Sequence, residues 1–222
     1  MTMMRLNFSS TPLSDKCKAL LLLLVIAECL SGSIAYAQDG WRNADELFEA
    51  MQLSNGSWVA DIGCREGYYT TRMSPIVGSG WIFAVDINPN ALKDLQDNLK
   101  AAHIENVTPV LNIPESPMLP RDILDAALIR NTYHEFTEPL NMLRYIRREL
   151  KKGGRLVIAE AISENLQNSG RARQARSHEI AMKFVKEDLA KVGYRVIREV
   201  DPFTEVRRGR HFWMLIAVPI NK

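Results

Sequence analysis

Two apolar runs close the chain, YRVIREV (Tyr194–Val200) and HFWMLIAVPI (His211–Ile220), with only the charged residues 201–210 between them. That spacing leaves no room for a helical crossover, so the two runs must pair antiparallel. Upstream, continuous apolar runs alternate with helical patterns, the arrangement of a parallel sheet covered on both faces. A parallel sheet ending in an antiparallel hairpin is a narrow choice of architecture. A plain dinucleotide-binding domain does not predict it.

The elements follow from periodicity. Trp58–Ile62 reads as the first strand, followed by a glycine-punctuated turn and a helix over Thr70–Val77. WIFAVDI (Trp81–Ile87) is a second buried strand. NPNALKDLQDNLKAAH (Asn88–His103) places apolar residues at 91, 92, 95 and 99, a helical stripe with Pro89 in its first turn. NVTPVLN (Asn106–Asn112), Leu124–Ile129 and RLVIAEA (Arg155–Ala161) supply three more strands. Between the last two, PLNMLRYIRRELKK (Pro139–Lys152) is an amphipathic helix closed by Gly153-Gly154. Residues 162–176 read as polar loop or helix edge, and HEIAMKFVKEDLAKVG (His178–Gly193) as a helix stopped at Gly193. The expected fold is α/β: a Rossmann-like, doubly wound, seven-stranded sheet, mostly parallel with an antiparallel terminal strand.

The amino terminus has a different character. A polar stretch carrying Arg5, Lys16 and Lys18 precedes the apolar run Ala19–Leu30, and a small-x-small site, Ala35-Tyr36-Ala37, follows. This is the pattern of a secretory signal, cleaved after Ala37. The apolar run is shorter than the roughly 20 residues that span a bilayer, and Glu28 lies inside it. The expected organisation is therefore a signal peptide over 1–37 and one domain over 38–222, exported to the periplasm or secreted. If the leader is retained it would serve as a membrane anchor, but the mature chain carries no membrane span. Cys17 and Cys29 fall in the leader, so the mature chain keeps only Cys64. One thiol makes neither an internal disulfide nor a thiolate metal cluster, and a packing role after the first strand suits it. No metal site is assigned.

A net charge of +2, with no basic tract interleaved with aromatics, gives no support for a nucleic-acid partner. Chemistry concentrates instead where strands end. In a doubly wound sheet, ligands bind beyond the carboxyl ends of the strands, where strand order reverses. VADIGCREG (Val59–Gly67) carries the first strand into a turn. There Gly63 and Gly67 let the backbone approach a ligand, and the next helix offers unpaired amides. AVDIN ends the second strand with Asp86, which can accept both hydroxyls of a ribose while Ile87 packs on a purine face. Asn88 is the better helix cap of the two polar residues. A nicotinamide dehydrogenase expects G-x-G-x-x-G; this chain has G-x-x-x-G.

On VADIGCREG, FAVDIN, LDAALIRNTYHEF and LKKGGRLVIAE the chain resembles the class I S-adenosylmethionine-dependent methyltransferases, over about residues 41–220. The resemblance implies S-adenosyl-L-methionine as cofactor. Gly63 and Gly67 would line its methionine portion, Asp86 and Ile87 its nucleoside, Asn112 the adenine, and Asn131 the cofactor or the local backbone, with Asp61 also on the cofactor side. Arg65 departs from the family pattern, which frequently has glycine there; its side chain is expected to turn outward or towards the cofactor carboxylate. On the acceptor side stand His134 as a base and Tyr133 as a residue ordering the acceptor or shielding the sulfonium, with Glu135 suited to a cationic acceptor. His178 and the arginines 171, 173 and 176 are weaker candidates for the pocket, and Arg207, Arg208 and Arg210 would keep a sheet edge soluble. The implied reaction is methyl transfer to a small-molecule acceptor. The rival is a non-catalytic exported binding protein on the same fold, which export favours because the cofactor is made in the cytoplasm.

Overall fold

The computed structural model describes residues 43–207 and 209–220. In chain order its elements are α1 (Ala44–Met51), β1 (Trp58–Ile62), α2 (Tyr68–Val77), β2 (Trp81–Asp86), α3 (Pro89–Ala101), β3 (Val107–Leu111) and β4 (Leu124–Arg130). A 3-10 turn (Tyr133–Glu135) follows, then α4 (Pro139–Glu149), β5 (Leu150–Ser163), α5 (Arg171–Arg176), α6 (Met182–Lys191), β6 (Tyr194–Arg207) and β7 (Arg210–Pro219). The signal sequence read over Met1–Ala37 lies outside the described residues. Among those residues no helix is long and apolar enough to cross a membrane.

The strands form one seven-stranded sheet in the order β3-β2-β1-β4-β5-β7-β6. Pairs from β3 to β5 are parallel, and β7 runs antiparallel to both β5 and β6. The expected architecture is therefore the observed one. Because side chains alternate across a strand, β4 sends Ala127 and Ile129 to one face and Ala126 and Leu128 to the other. The first face is covered by α4 through Met142, Leu143 and Ile146 and by α6 through Val185 and Leu189. The second is covered by α1, α2 and α3, through Leu47, Met73, Leu95 and Leu99 among others. Both faces being apolar explains why the strands read as unbroken hydrophobic runs.

Several boundaries moved. The helix of Pro139 stops at Glu149 and Leu150 already pairs with Leu124. The buried Leu150 side chain gains more from the core than from another helical turn, so Gly153-Gly154 lie within β5 instead of capping the helix. The terminal hairpin is longer than its apolar runs, because most of the charged link is β6 itself. Helices α1 and α5 were not assigned from the sequence, and α6 begins at Met182, after His178 instead of at it.

Tyr133 takes a place in the core of the first face, 1% exposed. Its hydroxyl donates to Asp188 Oδ2 at 2.9 Å, and Arg171 contacts the same carboxylate from α5 at 2.5 Å. This corrects the expectation that Tyr133 lines the acceptor pocket: an aromatic ring finds more apolar contact behind the turn than in front of it, and Asp188 satisfies its one polar atom. Arg171 is likewise committed to Asp188 and is not presented to an acidic substrate. Tyr133→Phe should keep the packing but lose a bond to a charged acceptor, costing about 1.5–3 kcal/mol in urea unfolding. Affinity for S-adenosylhomocysteine should stay within about twofold of wild type.

Candidate functional site

β1 lies between β2 and β4, so the order of the sheet reverses at its carboxyl end, the place where such sheets bind ligands. Gly63 follows this strand with φ +79°, and a Cβ there would stand 2.2 Å from the Thr132 side chain. The turn after β4 therefore packs directly on the turn after β1. Gly67 has φ +86°, and a Cβ there would stand 2.3 Å from Leu95 Cδ1, so α3 closes on the loop from the other side.

Between the glycines, Arg65 has φ +48°, the left-handed conformation that glycine adopts at least cost. This is a physical reason for glycine at that point in the family pattern. The Arg65 side chain is 77% exposed with Nε 3.6 Å from the Glu66 carboxylate; it turns outward. Its backbone does the local work. The Arg65 N–H donates to Asp86 Oδ2 at 2.8 Å, and the Asn88 N–H donates to Asp86 Oδ1 at 2.8 Å. Asn88, and not Asp86, caps α3, accepting from the N–H groups of Asn90 and Ala91.

Each Asp86 oxygen thus uses one lone pair on an amide and keeps another. Two fixed acceptors at one strand end match two vicinal hydroxyls. Beside them Ile87 and Leu111, each 56% exposed, form an apolar rim, Leu111 being the register partner of Asp86. The Asn112 N–H donates to the Asp86 carbonyl at 3.2 Å, and its side-chain amide donates to the Ile113 carbonyl at 2.8 Å. Asn131 is exposed at the end of β4 with φ +54°, its N–H given to the Ala159 carbonyl at 2.9 Å.

Asp61, at the end of β1, is 2% exposed and accepts the Thr70 hydroxyl at 2.6 Å. Burial pushes its carboxyl up to about 6; the Thr70 bonds pull the other way, and the Asp86 charge adds to the rise. Cys64 is buried, with Sγ 3.6 Å from the Arg65 carbonyl. Burial pushes its thiol far above the range of a reactive thiolate.

The acceptor side is organised by a residue the motifs did not bring out. Glu160, fully buried in β5, accepts the N–H groups of Thr132 at 2.6 Å and Tyr133 at 2.5 Å on Oε1. Its Oε2 lies 2.8 Å from His134 Nδ1. A carboxylate has no proton to give there, so Nδ1 carries one, and in the neutral ring Nε2 keeps its lone pair. Burial lowers the His134 pKa, but the bond and charge of Glu160, with Glu135 behind them, outweigh it and raise it overall. The one sign of Glu160 in the sequence is a lone carboxylate inside the apolar run LVIAEAI.

His134 Nε2 lies 3.7 Å from the Glu135 carboxylate, and the His178 ring stands edge-on to His134 at 5.5 Å between centroids. The structure therefore brings Asp61, Gly63, Arg65, Gly67, Asp86, Ile87, Asn112 and Asn131 to the carboxyl ends of four adjoining strands. His134 lies in the 3-10 turn after β4, His178 approaches it from the segment between α5 and α6, and Tyr133 is set apart in the core. Arg210 is not a solvated edge residue: its Nε pairs with the buried Glu179 at 2.9 Å. Arg208 and the side chain of Arg207 lie outside the described residues.

The family model for the methyltransferase domain matches residues 53–195, which contain every strand end described above. The chain belongs to this family. Its similarity to the tRNA U34 carboxymethyltransferase of Colwellia psychrerythraea is 30% identity over 136 residues, covering 58% of this chain and 40% of that protein. It is 29% identical to the ubiquinone/menaquinone biosynthesis C-methyltransferase UbiE of Salmonella arizonae over 153 residues, covering 68% and 58%. The chain spans less than two thirds of the length of either curated relative. An S-adenosylmethionine-dependent methyltransferase from Aquifex aeolicus has the same fold, with a TM-score of 0.67 at 23% identity over 79% of this chain and 88% of that one. The likeness to that structure is one of fold.

Asp61 gives this site a measurable pH signature. A carboxyl raised to about 6 in the fold holds its proton where the unfolded chain has lost it, so its contribution weakens the fold as pH rises from about 4 to 6 and is constant above. Asp61→Asn cannot ionise. Urea unfolding should show the variant gaining on wild type by about 2–3 kcal/mol between pH 4 and pH 7; parallel pH profiles would overturn the assignment.

Proposed function

We propose that the protein transfers a methyl group from S-adenosylmethionine to a nucleophilic atom of a small-molecule acceptor, releasing S-adenosylhomocysteine. The observation that carries this reading is the Asp86 carboxylate, pinned by two backbone amides beside exposed Ile87 and Leu111 at the reversal point of the sheet. Asp86 would hold the ribose hydroxyls, Ile87 and Leu111 the adenine faces, and the Gly63–Gly67 turn the methionine portion, with Asn112 and Asn131 at its margins. The cofactor supplies an electrophilic methyl on a sulfonium, so the protein's part is to bind, orient and deprotonate. His134, its tautomer set by Glu160, offers Nε2 to the acceptor's proton; the resulting imidazolium stays paired with the Glu160 carboxylate. Tyr133 acts only by fixing the turn that carries His134.

A small acceptor is favoured because the described residues build a sheet and its covering helices and add no further platform, and the net charge of +2 includes no basic tract. Calorimetry with S-adenosylhomocysteine should give micromolar binding that Asp86→Ala abolishes and Arg65→Gly leaves within about twofold, since the Arg65 side chain faces solvent. Incubation of the protein and methyl-labelled cofactor with cell extract should then put label in the small-molecule fraction. Label in precipitated RNA or protein would overturn the acceptor class, and absent cofactor binding would overturn the whole reading.

The leader pattern supports export. Amino-terminal sequencing of the periplasmic or secreted protein should begin at Gln38, and a cytoplasmic chain retaining Met1 would sink this part of the reading.

A further inference from the structure

We propose that His134, Glu135 and His178 form a binding site for a divalent transition-metal ion of the zinc class. Each residue brings a potential ligand atom within 4.8 Å of those of the other two. Glu135 Oε1 lies 3.7 Å from His134 Nε2 and 3.8 Å from His178 Nδ1. In a tetrahedral site with metal–ligand bonds of roughly 2.0–2.1 Å, adjacent ligand atoms stand roughly 3.3 Å apart. Closure therefore asks for about half an ångström between Glu135 and each imidazole, and for the two imidazoles to approach from within 4.8 Å. The side chains of Glu135 and His178 are 59% and 75% exposed, so rotation at the surface supplies that movement.

Two features separate this cluster from an accidental grouping of surface side chains. First, Glu160 already occupies the outer position of a carboxylate–histidine–metal arrangement. It takes the His134 Nδ1 proton at 2.8 Å, which fixes the ring and leaves Nε2 as a lone pair aimed towards Glu135. Second, His178 has an unusual backbone conformation, φ +55°, in a turn whose flanking residues are firmly bonded. Buried Gln174 donates to the carbonyls of Leu166 and Ser169 and accepts the Ala181 N–H, while buried Glu179 accepts the Ser163 N–H. The turn carrying His178 is thereby locked against the rest of the chain, and its ring stands edge-on to that of His134. Left-handed backbone at a non-glycine residue gathers at functional positions.

The donor set, two imidazole nitrogens and one carboxylate oxygen, selects zinc, cobalt, nickel or iron over magnesium or calcium. Three protein ligands leave a coordination position open for water or for an oxygen- or nitrogen-bearing acceptor. Metal and proton compete for one lone pair on His134. A bound cation would lower the acceptor's pKa by its own charge, doing the work assigned above to the free imidazole. The site goes beyond the methyl-transfer reading and is measured without the cofactor, so its failure leaves cofactor binding and methyl transfer standing; its success would replace the free His134 imidazole as the group that activates the acceptor.

The test is a titration of the full chain with Co²⁺, followed by visible absorption. Wild type should take up one equivalent with ligand-field bands that Zn²⁺ abolishes and excess Mg²⁺ leaves in place, and its melting temperature should rise with metal. His178→Ala and Glu135→Gln change surface side chains, so both should melt like metal-free wild type and bind at least about tenfold more weakly. A wild-type chain without bands, or either variant binding within about twofold of wild type, overturns the site.

Discussion

A carboxylate buried within a sheet strand is costly unless it is well hydrogen-bonded, and Glu160 uses its bonds to assemble the site. Two backbone N–H groups and one imidazole converge on it, which fixes the turn after β4 against β5. That turn carries Thr132, whose side chain fills the space above Gly63. The turn after β1 is then shaped by what lies over it, and the Arg65 amide at its apex holds Asp86. From one buried charge, position passes strand by strand across the sheet to the residue best placed to recognise a ribose. Removing the charge alone would leave three donors unsatisfied, so Glu160 belongs to the folding problem as much as to the chemistry.

Local pattern carried the architecture a long way. Unbroken apolar strands, the Gly63–Gly67 turn, Asp86 at a strand end and the short final connection were each visible within a few residues, and each implies geometry through backbone rules alone. What stayed hidden depends on partners far along the chain. Tyr133 looked like a pocket residue because its neighbours in sequence are, yet its partner is Asp188, 55 positions away. Glu160 lies 26 positions from His134, and nothing short-range joins them. The end of α4 was misread because Gly153-Gly154 is a strong local stop, whereas burial of Leu150 against Leu124 is a tertiary term. Propensity gives way where packing is worth more.

Arg65 shows how such a loop tolerates a departure from its pattern. Left-handed backbone at an L-residue costs roughly 1–2 kcal/mol, and the pattern avoids this with glycine. Here the Arg65 N–H bonds a carboxylate at 2.8 Å, a charge-assisted contact of the same order. The strain is therefore held by an interaction the site needs in any case, and the long side chain costs little because it leaves the loop for solvent. What the position constrains is the backbone, not the side chain.

The charges at the two neighbouring strand ends complete the picture. Asp61 and Asp86 are both buried carboxylates, and the charge of Asp86 helps raise the pKa of Asp61. Burial is the largest cause of that rise and the Asp86 charge the smallest. Asp61 is committed to the fold: it accepts the Thr70 hydroxyl at 2.6 Å and so ties the end of β1 to the first turn of α2. Asp86 is held by two backbone amides at 2.8 Å each and keeps acceptor capacity on both oxygens. Two acids at neighbouring strand ends thus divide the work, one fixing the turn after β1 and the other presenting hydrogen-bond acceptors beside it.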